Sequence, residues 1–194
     1  MTTGLRERKK AATRQALHAA AVDLAMRHGV ENLTVEAIAD AATVSRRTFS
    51  NYFASKEQAL LHGDRSRTVR LVELLRARPE QESLMTALIG AAEAYSAEYD
   101  AEPSLEQSYR ALRLHPALLP ELVATYAAGE QELAAVIERR LPAEPDNPLR
   151  AWVLAATFLA CLRVVGQAAL ENGAEQNMVD LVRQALAITR EGFR

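Results

Sequence analysis

Arg46, Arg47 and Thr48 have the most chemistry to offer, because they open the second of two short helices joined by a tight turn within Leu33 to Phe53. That chemistry is charge and hydrogen bonding aimed outward, the way a protein presents a helix to the major groove of DNA. Bond-breaking chemistry lacks its parts. A helical bundle can hold a di-iron site on Glu-x-x-His pairs, but the residues three before His18, His28, His62 and His115 are Gln15, Ala25, Ala59 and Leu112. No His-Glu-x-x-His, Cys-x-x-Cys, Gly-x-Ser-x-Gly or phosphate-cradling glycine loop occurs. The expectation is therefore a binding protein and no enzyme, with no catalytic residue, metal or cofactor.

Charge is distributed to match. Residues 1 to 60 carry a net charge of +3 and residues 61 to 194 a net charge of −5, so the basic character sits with the helix-turn-helix. Much of it is the arm Arg6, Arg8, Lys9, Lys10 and Arg14, offset only by Glu7. Such a cluster attracts phosphates through counterion release, whatever the base sequence. Among the basic residues 20 are arginines, in an alanine-heavy background that suggests a GC-rich bacterial genome. Cys161 has no second cysteine to pair with, and no charged-then-apolar leader opens the chain, so a reducing cytoplasm is expected. The uncharged apolar run from Ala151 to Leu162 is closed by Arg163 and falls short of the roughly 20 residues a bilayer needs. It is expected to be a buried helix, with no membrane partner.

The elements that must position these residues follow from periodicity and punctuation. A first helix runs from about Arg6 to His28, burying Leu17, Ala21, Leu24 and Ala25, and stops at Gly29, after which Val30 folds back. Thr34 caps a second helix with Ile38 and Ala39 inward, and Ala41 to Val44 make the turn. Ser45 caps the third helix, leaving Arg46, Arg47 and Thr48 free for DNA, while Phe49 and Phe53 share a buried face. Ser55 and Gln58 form a capping box for a fourth helix that continues to about Ala77, with Gly63 its weak point. Further helices are expected at about Glu82 to Tyr99, then, after a break at Pro103, a shorter one reaching Leu114, one entered between Pro116 and Pro120 and ending near Arg140, one from Asn147 to about Glu171 and one from about Asn177 to Glu191. No strand-like alternation of useful length or internal repeat appears. The fold class is all-α, about nine helices: a three-helix DNA-binding domain over residues 1–54, then a helical bundle over residues 55–194. His18 and His28 are expected at the helix surface or its boundary, with no special chemistry.

The block from about Arg8 to Leu61 resembles the TetR family of bacterial transcriptional regulators. The resemblance rests on Gly29, on Thr34-Val35-Glu36-x-Ile38-Ala39, on Val44-Ser45-Arg46-Arg47-Thr48-Phe49-x-Asn51-Tyr52-Phe53, and on Ser55-Lys56-Glu57-x-x-Leu60. The latter half looks most like the actinobacterial regulators grouped with the mycofactocin regulator, whose C-terminal domain is described as binding acyl-CoA-like ligands.

This resemblance implies phosphate contacts at Thr34, Thr43, Ser45, Tyr52 and Lys56, which set register. It implies base reading by Arg46, Arg47 and Thr48, joined by Asn51, because an arginine can pair with guanine O6 and N7 and a threonine methyl can touch thymine. Which arginine reads a base is left open. It also implies a homodimer through the last two helices on a palindromic double-stranded operator. The family's ligand pocket implies Met85, Ile89, Tyr95, Tyr109, Leu112, Tyr126, Trp152 and Phe158 as lining, with Arg110, Arg113 and His115 near its mouth. A small lipophilic effector, acyl-chain-like or planar aromatic, would suit such a pocket. A repressor released when ligand shifts the fourth helix is the implied function. An activator, a regulator without ligand, and a helical protein-interaction scaffold without DNA binding are the alternatives.

Overall fold

The computed structural model describes residues 2–98, 109, 112–172 and 178–191. Among the described residues there are nine α-helices, one 3-10 turn and no strand, as the all-α reading expects. The chain forms two compact units, Met1–Ser66 with Ser104–Thr125, and Arg67–Pro103 with Tyr126–Arg194.

In the first unit, α1 (Thr2–His28) packs against α2 (Val35–Ala41) and α4 (Lys56–Leu60), and α2 packs on α3 (Arg46–Ser50). The N-terminal arm is helical from Thr2, earlier than the expected start at Arg6. Helix α1 ends where Gly29 takes φ 84° and its N–H bonds Ala25 O at 2.9 Å, a left-handed cap that turns Val30 back into the core at 2% exposure. Three short helices then depend on one buried cluster, Leu17, Ala21, Ile38, Phe49, Phe53 and Leu60. Full burial of Phe49 alone is worth about 2–3 kcal/mol. Helices of five to seven residues do not persist in water by themselves, so this packing holds them.

The continuous fourth helix is corrected by the structure. It breaks at Leu61 (φ −90°, ψ 8°), separating α4 from α5 (His62–Arg76). The last carbonyls of a helix lack helical partners, and here side chains supply them. His18 Nδ1 bonds Ala59 O, and the Tyr109 hydroxyl donates to Leu60 O, both at 2.9 Å. Gly63 lets the His18 ring approach, since a Cβ there would lie 2.9 Å from His18 Nε2. His18 thus lies half-buried at the helix boundary, as expected, but as a hub of contacts and not an idle residue. It sits edge-on to His62 and Tyr109, and His62 in turn is edge-on to Phe53.

The 3-10 turn Pro116–Leu118 and the first residues of α7 (Leu119–Glu138), up to Thr125, still belong to the first unit, and the rest of α7 with α6 (Leu84–Glu98), α8 (Asn147–Asn172) and α9 (Met178–Glu191) belongs to the second. Helix α9 packs on both α6 and α8. Their core joins Leu71 and Leu75 to Leu88, Leu133, Ile137, Phe158 and Val182. Arg140 fastens the end of α5, its guanidinium donating to Leu75 O, Arg78 O and Pro79 O, a cation where a helix dipole is negative. The shorter helix expected to reach Leu114 after the break at Pro103 lies outside the described residues except at Tyr109 and 112–114.

Helix α8 is apolar over more than the run from Ala151 to Leu162. Its segment Asn147–Ala168 is, by length and composition, apolar enough to cross a membrane, with mean hydropathy 1.6, the charge at Arg163 included. One stripe, Ala151, Ala155, Phe158, Cys161 and Val165, faces the core of its unit, as a core helix does. Trp152 is 57% exposed in the single chain, because it stands one residue around the helix from that stripe.

Candidate DNA-binding site

Three caps build the site. Thr34 Oγ1 accepts from Ala37 N at 3.1 Å, Ser45 Oγ from Thr48 N at 3.0 Å and Ser55 Oγ from Gln58 N at 3.1 Å. All three were expected, but Gln58 reaches back to the N–H of Ala54, not of Ser55, so the capping box is shifted by one residue. Between α2 and α3, Thr43 holds φ 57° while its N–H bonds Asp40 O and the Val44 N–H bonds Ala39 O, each at 2.9 Å. This is the paired bonding of a Schellman turn with a β-branched residue in the place glycine usually takes. Thr43 is exposed at the tip of the turn.

The recognition residues are not equally free. Arg46 Nη1 lies 2.8 Å from Glu36 Oε1 in the first turn of α2, and both side chains are largely exposed. Thr48 is tied to its own cap, its hydroxyl 2.8 Å from Ser45 Oγ, which corrects the expectation that it stands free and leaves its methyl to face outward chemistry. The exposed Arg47 side chain has no ion-pair or hydrogen-bond partner among the described residues. Asn51 is exposed at the end of α3, and Tyr52 beside it is half-buried. The Lys56 ammonium donates to Leu33 O at 2.7 Å and Val30 O at 3.3 Å, so one of its three donors is uncommitted.

The ligand candidates divide between the units. Tyr109, Leu112 and Arg113 belong to the first unit. There Tyr109 is buried with its hydroxyl 2.9 Å from Asp64 Oδ2, and Arg113 pairs with the other oxygen of that carboxylate. Met85, Ile89, Tyr95, Tyr126, Trp152 and Phe158 belong to the second unit. Phe158 is 1% exposed, Ile89 and Tyr95 pack against the core, Tyr126 is half-buried, and Met85 and Trp152 face the surface. Arg110 lies outside the described residues. His115 Nε2 sits 2.5 Å from Glu31 Oε1 in the loop after α1. The backbone N–H of Glu31, then His115, hold that carboxyl below the usual carboxylate range.

Several contributors escaped the sequence reading. Glu36 restrains Arg46 across ten residues, and Arg14 lays its guanidinium 5.9 Å from the Tyr52 ring centroid and 5.8 Å from that of Phe53. Asp64, 6% exposed, is a buried charge whose partners lie 45 and 49 residues away. No local spacing could signal pairs so distant. Among the described residues no group of three or more His, Cys, Asp or Glu is placed to hold a metal ion.

Known proteins share this geometry. Residues 17–62 match the profile described as bacterial regulatory proteins, tetR family. Over 172 residues the chain is 33% identical to the HTH-type transcriptional regulator TcmR of Streptomyces glaucescens, covering 84% of this chain and 76% of that protein. The fold resembles that of Thermus thermophilus FadR, a TetR family transcriptional repressor solved in complex with lauroyl-CoA. That likeness has a TM-score of 0.57 at 19% identity and covers 93% of this chain and 95% of that one. The fatty acid degradation regulator FadR from Bacillus halodurans gives a TM-score of 0.56 at 18% identity, covering 94% and 96%. The capped recognition helix, the family profile over it and a relative matched along most of the chain lead to one conclusion: the chain belongs to the tetR family of bacterial regulatory proteins and is a DNA-binding transcriptional regulator.

Proposed function

We propose that the protein is a cytoplasmic repressor that binds a palindromic operator as a homodimer and is released from it by a small lipophilic ligand. Residues 1–54 form the DNA-binding domain and residues 55–194 the ligand-binding and dimerisation domain. The observation that carries the reading is α3, a helix held by Ser45 with Arg47 exposed and unpartnered in its first turn. Arg47 reads a base. Arg46 joins it by leaving Glu36, an exposed pair worth about 1 kcal/mol or less. Thr48 and Asn51 complete the base-facing set, while Thr34, Thr43, Ser45, Tyr52 and Lys56 contact phosphates.

The dimer forms through α8 and α9. Leu149, Trp152, Val153 and Val164 on α8 and Ile188 on α9 are all more than half exposed in the single chain, and unpartnered apolar surface of this kind supports an interface. A two-fold axis then places two α3 helices on half-sites about one DNA turn apart, or somewhat further. The ligand is acyl-CoA-like, held among Ile89, Tyr95, Tyr126 and Phe158. The fold likeness to a repressor seen with lauroyl-CoA and the resemblance to the mycofactocin-regulator group support this class. Ser66 and Arg67, on either side of the division between the units, are consecutive residues of α5, so no loop is available to absorb a ligand-driven shift there.

The test selects duplex DNA bound by the wild-type chain, then titrates the complex with lauroyl-CoA. Release at ligand saturation is expected; acyl-CoA binding with operator affinity unchanged contradicts the proposal. Arg47→Ala should cost about 1–3 kcal/mol of operator affinity and relax preference at one base position. Unchanged affinity and selectivity exclude that role. Sedimentation at micromolar concentration should give a dimer.

A further inference from the structure

The basic arm is not a loose tail. It is the first part of a 27-residue helix, so its cations stand at fixed positions. Arg6, Lys9, Lys10 and Thr13 are spaced i, i+3, i+4 and i+7, which puts them on one face. They form one wall of an open groove of about 620 Å³ whose other wall is Thr48, Asn51 and Tyr52, from the recognition helix and the turn after it. Arg14, stacked over Tyr52 and Phe53, joins the two walls. Arg8 is equally exposed but does not line the groove. The side chains of Arg6, Lys9 and Lys10 have no ion-pair or hydrogen-bond partner among the described residues, and Glu7 is the one acidic lining residue.

We infer that this groove takes the phosphate backbone of the operator strand bordering the site read by α3, making Arg6 and Lys10 DNA contacts additional to the helix-turn-helix. The inference rests on the reading that α3 enters the major groove. Three cations against one carboxylate fix the sign of the occupant. An open trough fits a continuous polymer, and one wall is already assigned to DNA. Arg6 and Lys10 stand about 6 Å apart along the helix axis, which spans about two phosphates of one strand. Contacts of this kind add affinity and register but carry no sequence information.

The experiment measures binding between 50 and 300 mM salt to a duplex recovered by selection with the wild-type chain, and to a random duplex of equal length. Arg6→Ala with Lys10→Ala should flatten the log–log salt slope by about 1.8 per protomer and cost about tenfold per lost contact near 0.1 M salt. The ratio of selected to random affinity should stay unchanged. Arg8→Ala removes the same charge from outside the groove and should lose only the arm's general attraction for DNA, a smaller cost than that of Arg6→Ala, while Glu7→Gln should tighten binding. Circular dichroism should show all variants as helical as the parent. If Arg8→Ala costs as much as Arg6→Ala, only the general field of the arm acts and the inference is overturned. Wild-type binding with the double variant unaffected overturns it too, and leaves the α3 reading standing. A wild-type chain with no salt-dependent DNA affinity removes both.

Discussion

The two units are held together by different physics. The first is built from helices of five to seven residues set against one long one, and nearly every junction carries a named polar fastener. Thr34, Ser45 and Ser55 cap helices, Lys56 spans two loop carbonyls, and His18 and Tyr109 take the carbonyls at the end of α4. The second unit uses helices of 14 to 26 residues whose apolar stripes interlock, with its ion pairs mostly at the surface. The contrast follows from the task. In the proposed reading the first unit carries the DNA-reading helix and must fix a few side chains in direction, which takes directional bonds, whereas the second holds the ligand and must offer volume, which packing supplies and can rearrange.

The largest expected effect tests whether the head depends on its one cluster. Phe49→Ala should cost about 3–5 kcal/mol of stability in urea unfolding, and with it operator binding, because α3 is too short to form unaided. Phe158→Ala should cost a similar amount in the second unit. Assayed where it is still folded, that variant should keep operator affinity. Equal loss of DNA binding in the two variants would break the contrast between fastened head and packed sensor.

Next in size is the buried charge of the head. Asp64 is 6% exposed and answers both Tyr109 and Arg113, so Asp64→Ala leaves the Arg113 guanidinium, whose Nε is buried without a partner among the described residues, with no counter-charge among them. The expected cost is about 3 kcal/mol. Asp64→Ala with Arg113→Met should recover much of it. A double variant no better than the single one would show the pair to be dispensable.

How much was legible follows from the same contrast. Caps, turn and recognition residues sit within a few positions of what they bond, so Thr34, Ser45, Ser55 and Gly29 could be read from spacing alone. Phe49 and Phe53 were legible for the same reason, as an i, i+4 pair, and their ring centroids lie 5.9 Å apart. The break at Leu61 was not, because its cause is long-range: His18 and Tyr109, 41 and 49 residues from the carbonyls they bond. Which side of α8 carries Trp152, 57% exposed in the single chain, was not legible either, because an almost wholly apolar helix has no hydrophobic stripe to show which side is inward. In α9 the apolar repeat that includes Val182 and Ile188 was legible only in part, since Val182 is buried with Leu186 while Ile188 is 61% exposed.

A smaller effect concerns pH. Burial, then the charges of His18, Arg14 and Arg65, push the His62 imidazole down to about 4, so in the folded head it stays neutral where the unfolded chain would protonate it. Its ring lies against Phe53 and His18, and Ser66 Oγ is 3.2 Å from Nε2. Between about pH 6.5 and pH 4 the unfolded state binds the extra proton, so head stability falls as pH falls through that window and levels off below it. Half exposure limits the loss to about 1–2 kcal/mol. Urea midpoints at pH 7.5 and pH 5 should differ accordingly, and His62→Gln should flatten the difference. An unaltered pH dependence in that variant would move the effect to another group.

The smallest change is the sharpest, because it asks whether a fastener of the head is there for the fold or for DNA. Thr43 holds φ 57°, a conformation that costs a β-branched residue about 1–2 kcal/mol and glycine almost nothing. Thr43→Gly should therefore stabilise the head, by about 0.5–1 kcal/mol once the added freedom of the unfolded chain is subtracted. If strain were all, evolution toward stability would favour glycine here and operator affinity would be indifferent to the exchange. If the hydroxyl meets a phosphate, the same variant should melt higher and bind the operator about two- to tenfold more weakly, the worth of one neutral hydrogen bond, with the salt slope unchanged because no charge is lost. Opposite movement of melting temperature and affinity would place Thr43 in the DNA contact set, and movement of the melting temperature alone would remove it.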